Sequence, residues 1–121
     1  APADQRRLEQ GQFVHDLAAS FQSQTPYVLV MGDLNDFEDS APLQALYAGE
    51  VLTNTWFTLP PEQRYSYVYQ GVSQILDHIL VSPALLDELT AMSPLHLNAD
   101  YPYSAYYGQA VVWRNSDHDP V

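Results

Sequence analysis

The alternation of helical and strand-like patterns along this chain predicts a layered α/β (α+β) unit. Two observations carry that reading. An amphipathic stretch over residues 4–23 runs straight into a short apolar run at 27–31. Two further strand-like runs meet at Gly71. With 121 residues, the chain has the size of one small domain.

The elements follow in order. In "DQRRLEQGQFVHDLAASFQS" (4–23), Leu8, Val14, Leu17, Ala18 and Phe21 fall near one helical face. Arg6, Arg7, Gln12 and Asp16 lie mostly elsewhere, and Gly11 weakens the pattern. Pro26 ends the helix. Residues 27–31 read as a strand apolar on both faces, the pattern of a central buried strand. In "DSAPLQALYAG" (39–49), Ser40 is a cap candidate, Pro42 sits in the first turn and Gly49 is a stop signal, which predicts a short helix. "RYSYVYQG" (64–71) and "SQILDHILVS" (73–82) predict a hairpin. Ser82-Pro83 opens another short helix, "PALLDEL". "SPLHLNAD" (93–100) reads as a further strand, "YPYSAYYGQAVVWRN" as a tyrosine-rich loop, and a last strand begins near Pro120. An amphipathic helix that leads into a buried strand normally returns from an earlier strand. That strand is not in the sequence, so the chain reads as open at both ends.

Composition removes several classes. Hydrophobic residues make up 46% of the chain, too many for a disordered segment. No apolar run nears the ~20 residues of a membrane helix, and "APADQRRLEQ" lacks a signal-peptide core. The absence of cysteine excludes disulfide and thiolate–zinc scaffolds. Net charge is −11, with four arginines and no lysine, so the surface does not draw in nucleic acid by counterion release. A polyanionic substrate then needs a bound cation or positive surface from another segment. Otherwise the acidity serves solubility alone.

Three short stretches carry chemistry. In "VLVMGDLNDFED", polar residues stand at the end of an apolar strand, where α/β folds place ligand sites. Asp33 and Asn35 share parity and point the same way on extended backbone. The carboxylate suits a water or a cation, and the amide suits a phosphoryl oxygen. An Asx turn at the strand end is the other reading. In "SQILDHILVS", Asp77 alternates with Ile75, Ile79 and Val81. A carboxylate there needs a cationic partner, unless it reaches water at a sheet edge. His78 points to the other face and reads as a half-buried or surface histidine. In "SDHDPV", His118 is the candidate partner for Asp77, and its second ring nitrogen is left for substrate. Asp117 suits a metal or its waters. Asp119, before Pro120, reads as a solvated strand-start residue.

Taken together, "GDLN", an aspartate inside an apolar strand, and "SDH" form an ordered set. With these motifs the chain resembles the C-terminal half of the endonuclease/exonuclease/phosphatase (DNase I-like) superfamily, from about Arg7 to the last residue. "VLVMGDLNDFEDS", "RYSYVYQGVSQILDHILVS", "LHLNADY" and "SDHDPV" look most like bacterial extracellular nucleases. The resemblance implies a four-layered α/β sandwich. Residues 1–121 would supply the C-terminal part of that domain, one mixed sheet with flanking helices. It implies in-line attack of water on a phosphodiester with Mg2+ (or Mn2+/Ca2+). It assigns Asp33 to the attacking water, Asn35 to a phosphoryl oxygen, Asp117 and Asp33 to the metal, His118 to the transition-state phosphate, and Asp77 to holding His118. Arg64 and Tyr65 are further substrate-contact candidates; Tyr67 reads as strand packing. The tyrosines of 101–107 either stack on bases or cover a sheet edge.

The resemblance has departures. Many members carry tyrosine where this chain has His78, and their metal-anchoring glutamate, a second histidine and an asparagine have no counterpart here. The chain is therefore expected to lack the N-terminal half and the last strand, and to be inactive alone. Its inner sheet face is expected to be covered by that missing half or by a second copy in a homodimer. An extracellular or periplasmic location and a nucleic-acid substrate follow from the resemblance. A phosphatase or sphingomyelinase-like phosphoesterase of the same fold, and a non-catalytic interaction module, are the competing readings.

Overall fold

A computed structural model describes residues 2–102, 104 and 114–121. The elements are α1 (Pro2–Gln22), β1 (Leu29–Asp33), α2 (Ala41–Tyr47), β2 (Thr53–Asn54), β3 (Tyr67–Tyr69), β4 (Val72–Gln74), β5 (Asp77–Val81) and α3 (Pro83–Asp87). Short 3₁₀ turns occupy Ala48–Glu50, Thr55–Thr58 and Pro61–Gln63.

Helix α1 runs unbroken through Gly11 and buries a narrower stripe than its apolar residues suggest. Gly11 and Ala18 are buried, whereas Leu17 and Phe21 are 43% and 47% exposed. The reason is the close approach of α2. A Cβ on Gly11 would lie 2.6 Å from the Pro42 carbonyl oxygen. The helices meet where α1 is bare, and the bulky residues turn outward. Behind the contact, Ala18, Val28, Leu43, Leu46, Leu52 and Leu80 form the core.

The α/β class holds, but the sheet differs from the single mixed sheet expected. All described pairings are antiparallel and fall into two sheets, β1-β5-β2 and β3-β4. Directly opposed residues share a face. Leu29 faces Val81, Met31 faces Ile79 and Asp33 faces Asp77; the alternate pairs are Val30 with Leu80 and Gly32 with His78. The helices cover the second set. Among the described residues β1 is thus an edge strand, covered on one face only, where Val30 is half-buried, a correction to the expectation of burial on both. Met31 on its other face is 63% exposed.

The run 73–82 is not one strand. Gln70 and Gly71, both at positive φ, make the tight turn that joins β3 to β4. The chain then leaves this hairpin through buried Ile75 and Leu76 and enters the other sheet as β5. Residues 93–100 do not form a strand either. They lie against the chain end, but a side chain stands in for the ladder: Asp119 Oδ1 accepts from the Asn98 and Ala99 N–H groups at 2.7 and 2.9 Å. Asp119 is 3% exposed, so it is a buried strut and not the solvated residue expected. His118 makes a single antiparallel bridge to Tyr67 in place of the expected last strand. No helix among the described residues is long and apolar enough to cross a membrane.

Two effects compete at Gly11. Alanine gains about 1 kcal/mol of helix propensity. Forcing α1 off a backbone carbonyl costs about 1–3 kcal/mol. Gly11→Ala is expected to destabilise, seen as a lower midpoint in urea denaturation; a raised midpoint would show that the two helices separate freely.

Candidate active site

The site forms where β1, β5 and the chain end meet. Asp77 opens β5 opposite Asp33, the last residue of β1. The bridge from His118 to Tyr67 brings the SDH segment alongside β3. Asp33, Asp77 and His118 each offer a ligand atom within 4.8 Å of the others. Asn35 and Asp117 line one open cleft with His118, Tyr67 and Gln74.

Asp77 is the most constrained of these groups. Its Oδ2 accepts from His118 Nδ1 at 2.7 Å and from the Ser66 hydroxyl at 2.6 Å. A carboxylate acceptor places the proton of His118 on Nδ1, leaving Nε2 as the second ring nitrogen. Ser66 is fully buried, and its oxygen also accepts from the Leu76 and Asp77 N–H groups. From the other side, the buried Trp56 indole donates to the Asp77 carbonyl at 2.7 Å. Thr55 donates to the Ile79 carbonyl at 3.0 Å. Side chains of one 3₁₀ turn thus complete the edge of β5 where the two-residue β2 stops.

Asp33 is exposed. Its Oδ1 accepts from the Asn35 N–H at 2.9 Å, so the Asx turn is present and coexists with the cluster. Asn35 takes a left-handed φ of 51°, which asparagine tolerates. Arg7, from α1, fixes this loop. It bonds to the Leu34 and Asn35 carbonyls and pairs with Asp36 at 3.0 Å. His78 adds a third tie. It is fully buried on the helix face, with Nε2 2.9 Å from the Asp36 carbonyl and Nδ1 2.8 Å from the Asn54 amide nitrogen. The expectation of a surface or half-buried His78 is corrected. Accepting from Asn54 and donating to Asp36 requires the neutral ring, and burial pushes its pKa down.

The structure separates the remaining candidates. Arg64 donates to the Leu59 carbonyl at 2.7 Å and lies over the Phe57 ring. Tyr65 donates to Asp100 at 2.9 Å and stacks on His96. Its pKa is pushed up to about 12, first by burial and then by the bond to Asp100. Neither residue lines the cleft. Tyr67, read as packing, does line it. Tyr103, Tyr106 and Tyr107 lie outside the described residues. Asp117 is exposed beside the cleft, while Asp77 takes the third place in the compact group. Sequence reasoning missed Ser66, Trp56 and Arg7. Only Ser66 carried a local signal, a small hydroxyl among strand aromatics.

The donor set fits a hard divalent cation. It is carboxylate oxygen with one imidazole and no thiolate, and Asp33 keeps an oxygen uncommitted to the Asx turn. Asp33 would hold the cation. Asp77 is already engaged by Ser66 and His118. A hollow of about 160 Å³ between α1 and α2 is lined mostly by apolar residues such as Val14, Leu43 and Leu46; its Arg7 and Asp36 are paired with each other, so it does not suit phosphate chemistry.

The family model described as the Endonuclease/Exonuclease/phosphatase family matches residues 1–118. The chain belongs to that family. Its members are in general hydrolases of the nuclease or phosphatase kind, usually working with divalent metals. No curated protein and no solved structure matches the chain. In this family member the described geometry gathers Asp33, Asp77 and His118 at one end of a two-sheet junction.

His78 makes acid stability a readout of the loop tie. Its folded pKa lies below the usual 6.5, so the unfolded chain binds more protons between those two values. The stabilisation is complete above 6.5 and falls away as pH drops through the lowered value. His15 pulls oppositely, because its bond to Asp16 raises its pKa. The thermal midpoint of the wild type is therefore expected to fall more steeply below pH 6.5 than that of His78→Asn. Parallel pH profiles would mean that His78 binds its proton equally well in the folded and unfolded chain, and would remove the tie's pH dependence.

Proposed function

We propose that this chain carries the water-activating and phosphate-gripping side of a metal-dependent phosphodiesterase centre that hydrolyses nucleic acid. The observation that supports the reading is the Ser66–Asp77–His118 chain of hydrogen bonds beside Asp33. An imidazole backed by a carboxylate at Nδ1 presents Nε2 to a phosphoryl or leaving oxygen and stabilises charge that grows there. Asp33, with one oxygen held by the Asn35 N–H, orients the attacking water and takes its proton. The Asn35 amide grips a non-bridging oxygen, so the phosphorus stays in line with the water. Asp117, which lines the cleft, would hold the cation or its waters. Bound Mg2+, or Mn2+ or Ca2+ in its place, supplies charge neutralisation that an acidic protein otherwise lacks. Each protein group positions or neutralises, which is most of what phosphoryl transfer requires.

The exposed face of Leu29 and Met31 runs along the sheet to Asp33. We propose that a second sheet, from the rest of the domain or from another copy, packs on that face and adds the remaining metal ligands. An extracellular or periplasmic setting, which the family resemblance suggests, would supply the polymeric substrate.

The test is chelator-sensitive hydrolysis by the assembled domain, with DNA, RNA, sphingomyelin and inositol phosphates as substrates. Asp33→Ala and His118→Ala are each expected to lower kcat by about three orders of magnitude or more. Near-normal rates in either variant would remove the assigned role. Preference for a lipid or small phosphoester would move the reading to the phosphatase branch of the family.

A further inference from the structure

The hairpin face beside His118 carries a row of aromatic rings that the hydrolytic chemistry does not use. In β3, Tyr67 and Tyr69 point the same way, with ring centroids 6.4 Å apart and planes 13° from parallel. His118 continues the row, its ring 4.7 Å from Tyr67. Gln74 and Val72 lie directly across the hairpin on the same face. Tyr67 and Gln74 line the cleft, and Tyr69 beyond them is 52% exposed. Tyr67 is half-buried against His118, whereas Tyr69 is exposed, so the row leads outward from the candidate phosphate position.

Charge decides what such a row can bind. The chain has net charge −11, four arginines and no lysine. Arg6 is exposed on α1 and does not line the cleft; Arg7 does line it but pairs with Asp36; Arg64 is committed to backbone carbonyls, and Arg114 donates to the Asn98 carbonyl. Little cationic surface is left to follow a phosphate backbone, and counterion release is a weak source of affinity here. Stacking needs no charge, and every unpaired base has a π-face. In a duplex those faces are covered by neighbouring pairs.

We propose that Tyr67 and Tyr69 form a stacking platform for unpaired bases next to the scissile phosphate, making the preferred substrate a single-stranded polynucleotide. This rests on the phosphodiesterase reading, and its test is kept separate from turnover. Fluorescence anisotropy in EDTA compares the chain's binding of a labelled oligothymidylate, an abasic oligomer of equal length and a duplex. The thymidylate is expected to bind about tenfold tighter than the abasic strand. Its affinity should change by less than about tenfold between about 50 and 200 mM salt. Tyr69→Leu should bring the two single strands within about twofold, and Tyr69→Phe should keep the preference. Equal affinity for thymidylate and abasic strands, including none for either, overturns the platform. So does tighter binding of the duplex, or a base preference intact in Tyr69→Leu. A base preference in a protein without hydrolysis supports the platform and fails the phosphodiesterase reading alone.

Discussion

The hydroxyl of Ser66 is the point on which the site depends. It donates to the Asp77 carboxylate and accepts from two successive backbone N–H groups, at Leu76 and Asp77. The Ser66 backbone is equally engaged, donating to Gln74 and accepting from Asp119. One buried residue therefore ties the β3-β4 hairpin, the entry to β5 and the chain end together. These three segments belong to different sheets or to none. Without the hydroxyl, the buried Leu76 N–H and the part-buried Asp77 N–H would lose a partner, at about 1–3 kcal/mol for the buried group. Asp77 would then hold His118 with one fewer restraint. Stability and catalytic geometry share this atom.

A second set of ties acts on the opposite bank. The loop 34–36 reaches Arg7 of α1 and His78 of β5 through its carbonyls, while Asp36 pairs with the Arg7 guanidinium. Loop carbonyls that would otherwise face water or lie unpaired are used to position Asn35 and Asp33. The arrangement also lets an acidic protein concentrate carboxylates. Asp33 and Asp77 stand opposite each other across a ladder, a pairing of like charges that is unfavourable unless something compensates. Ser66 and His118 compensate on one side, and a cation held by Asp33 would supply the positive charge on the other.

Much of this was legible locally. Helix α1, the short helix after Ser40 and the Gly71 turn come from periodicity, proline and glycine, which act within a few residues. The Asp77–His118 pair was readable because an acid inside an apolar strand demands a partner; that Asp33 joins them followed only from the family resemblance that the motif order carries. What failed was whatever needed to know a neighbour. The buried stripe of α1 is set by Pro42 of another helix. The break at Ile75 and Leu76 is set by a change of sheet that alternation does not reveal. Asp119 is buried because it caps 98–99, 21 and 20 residues upstream.

The amino-acid order by itself determined which groups of this chain carry chemistry and which segments prefer helix, turn or strand. These follow from residue type and short-range sterics. Only the tertiary structure decided that β1 is an edge, that His78 is buried and neutral, and that Arg7 and Ser66 serve the site. Hydrogen bonds and close packing are made between residues far apart in sequence, so their partners exist only after the chain has folded.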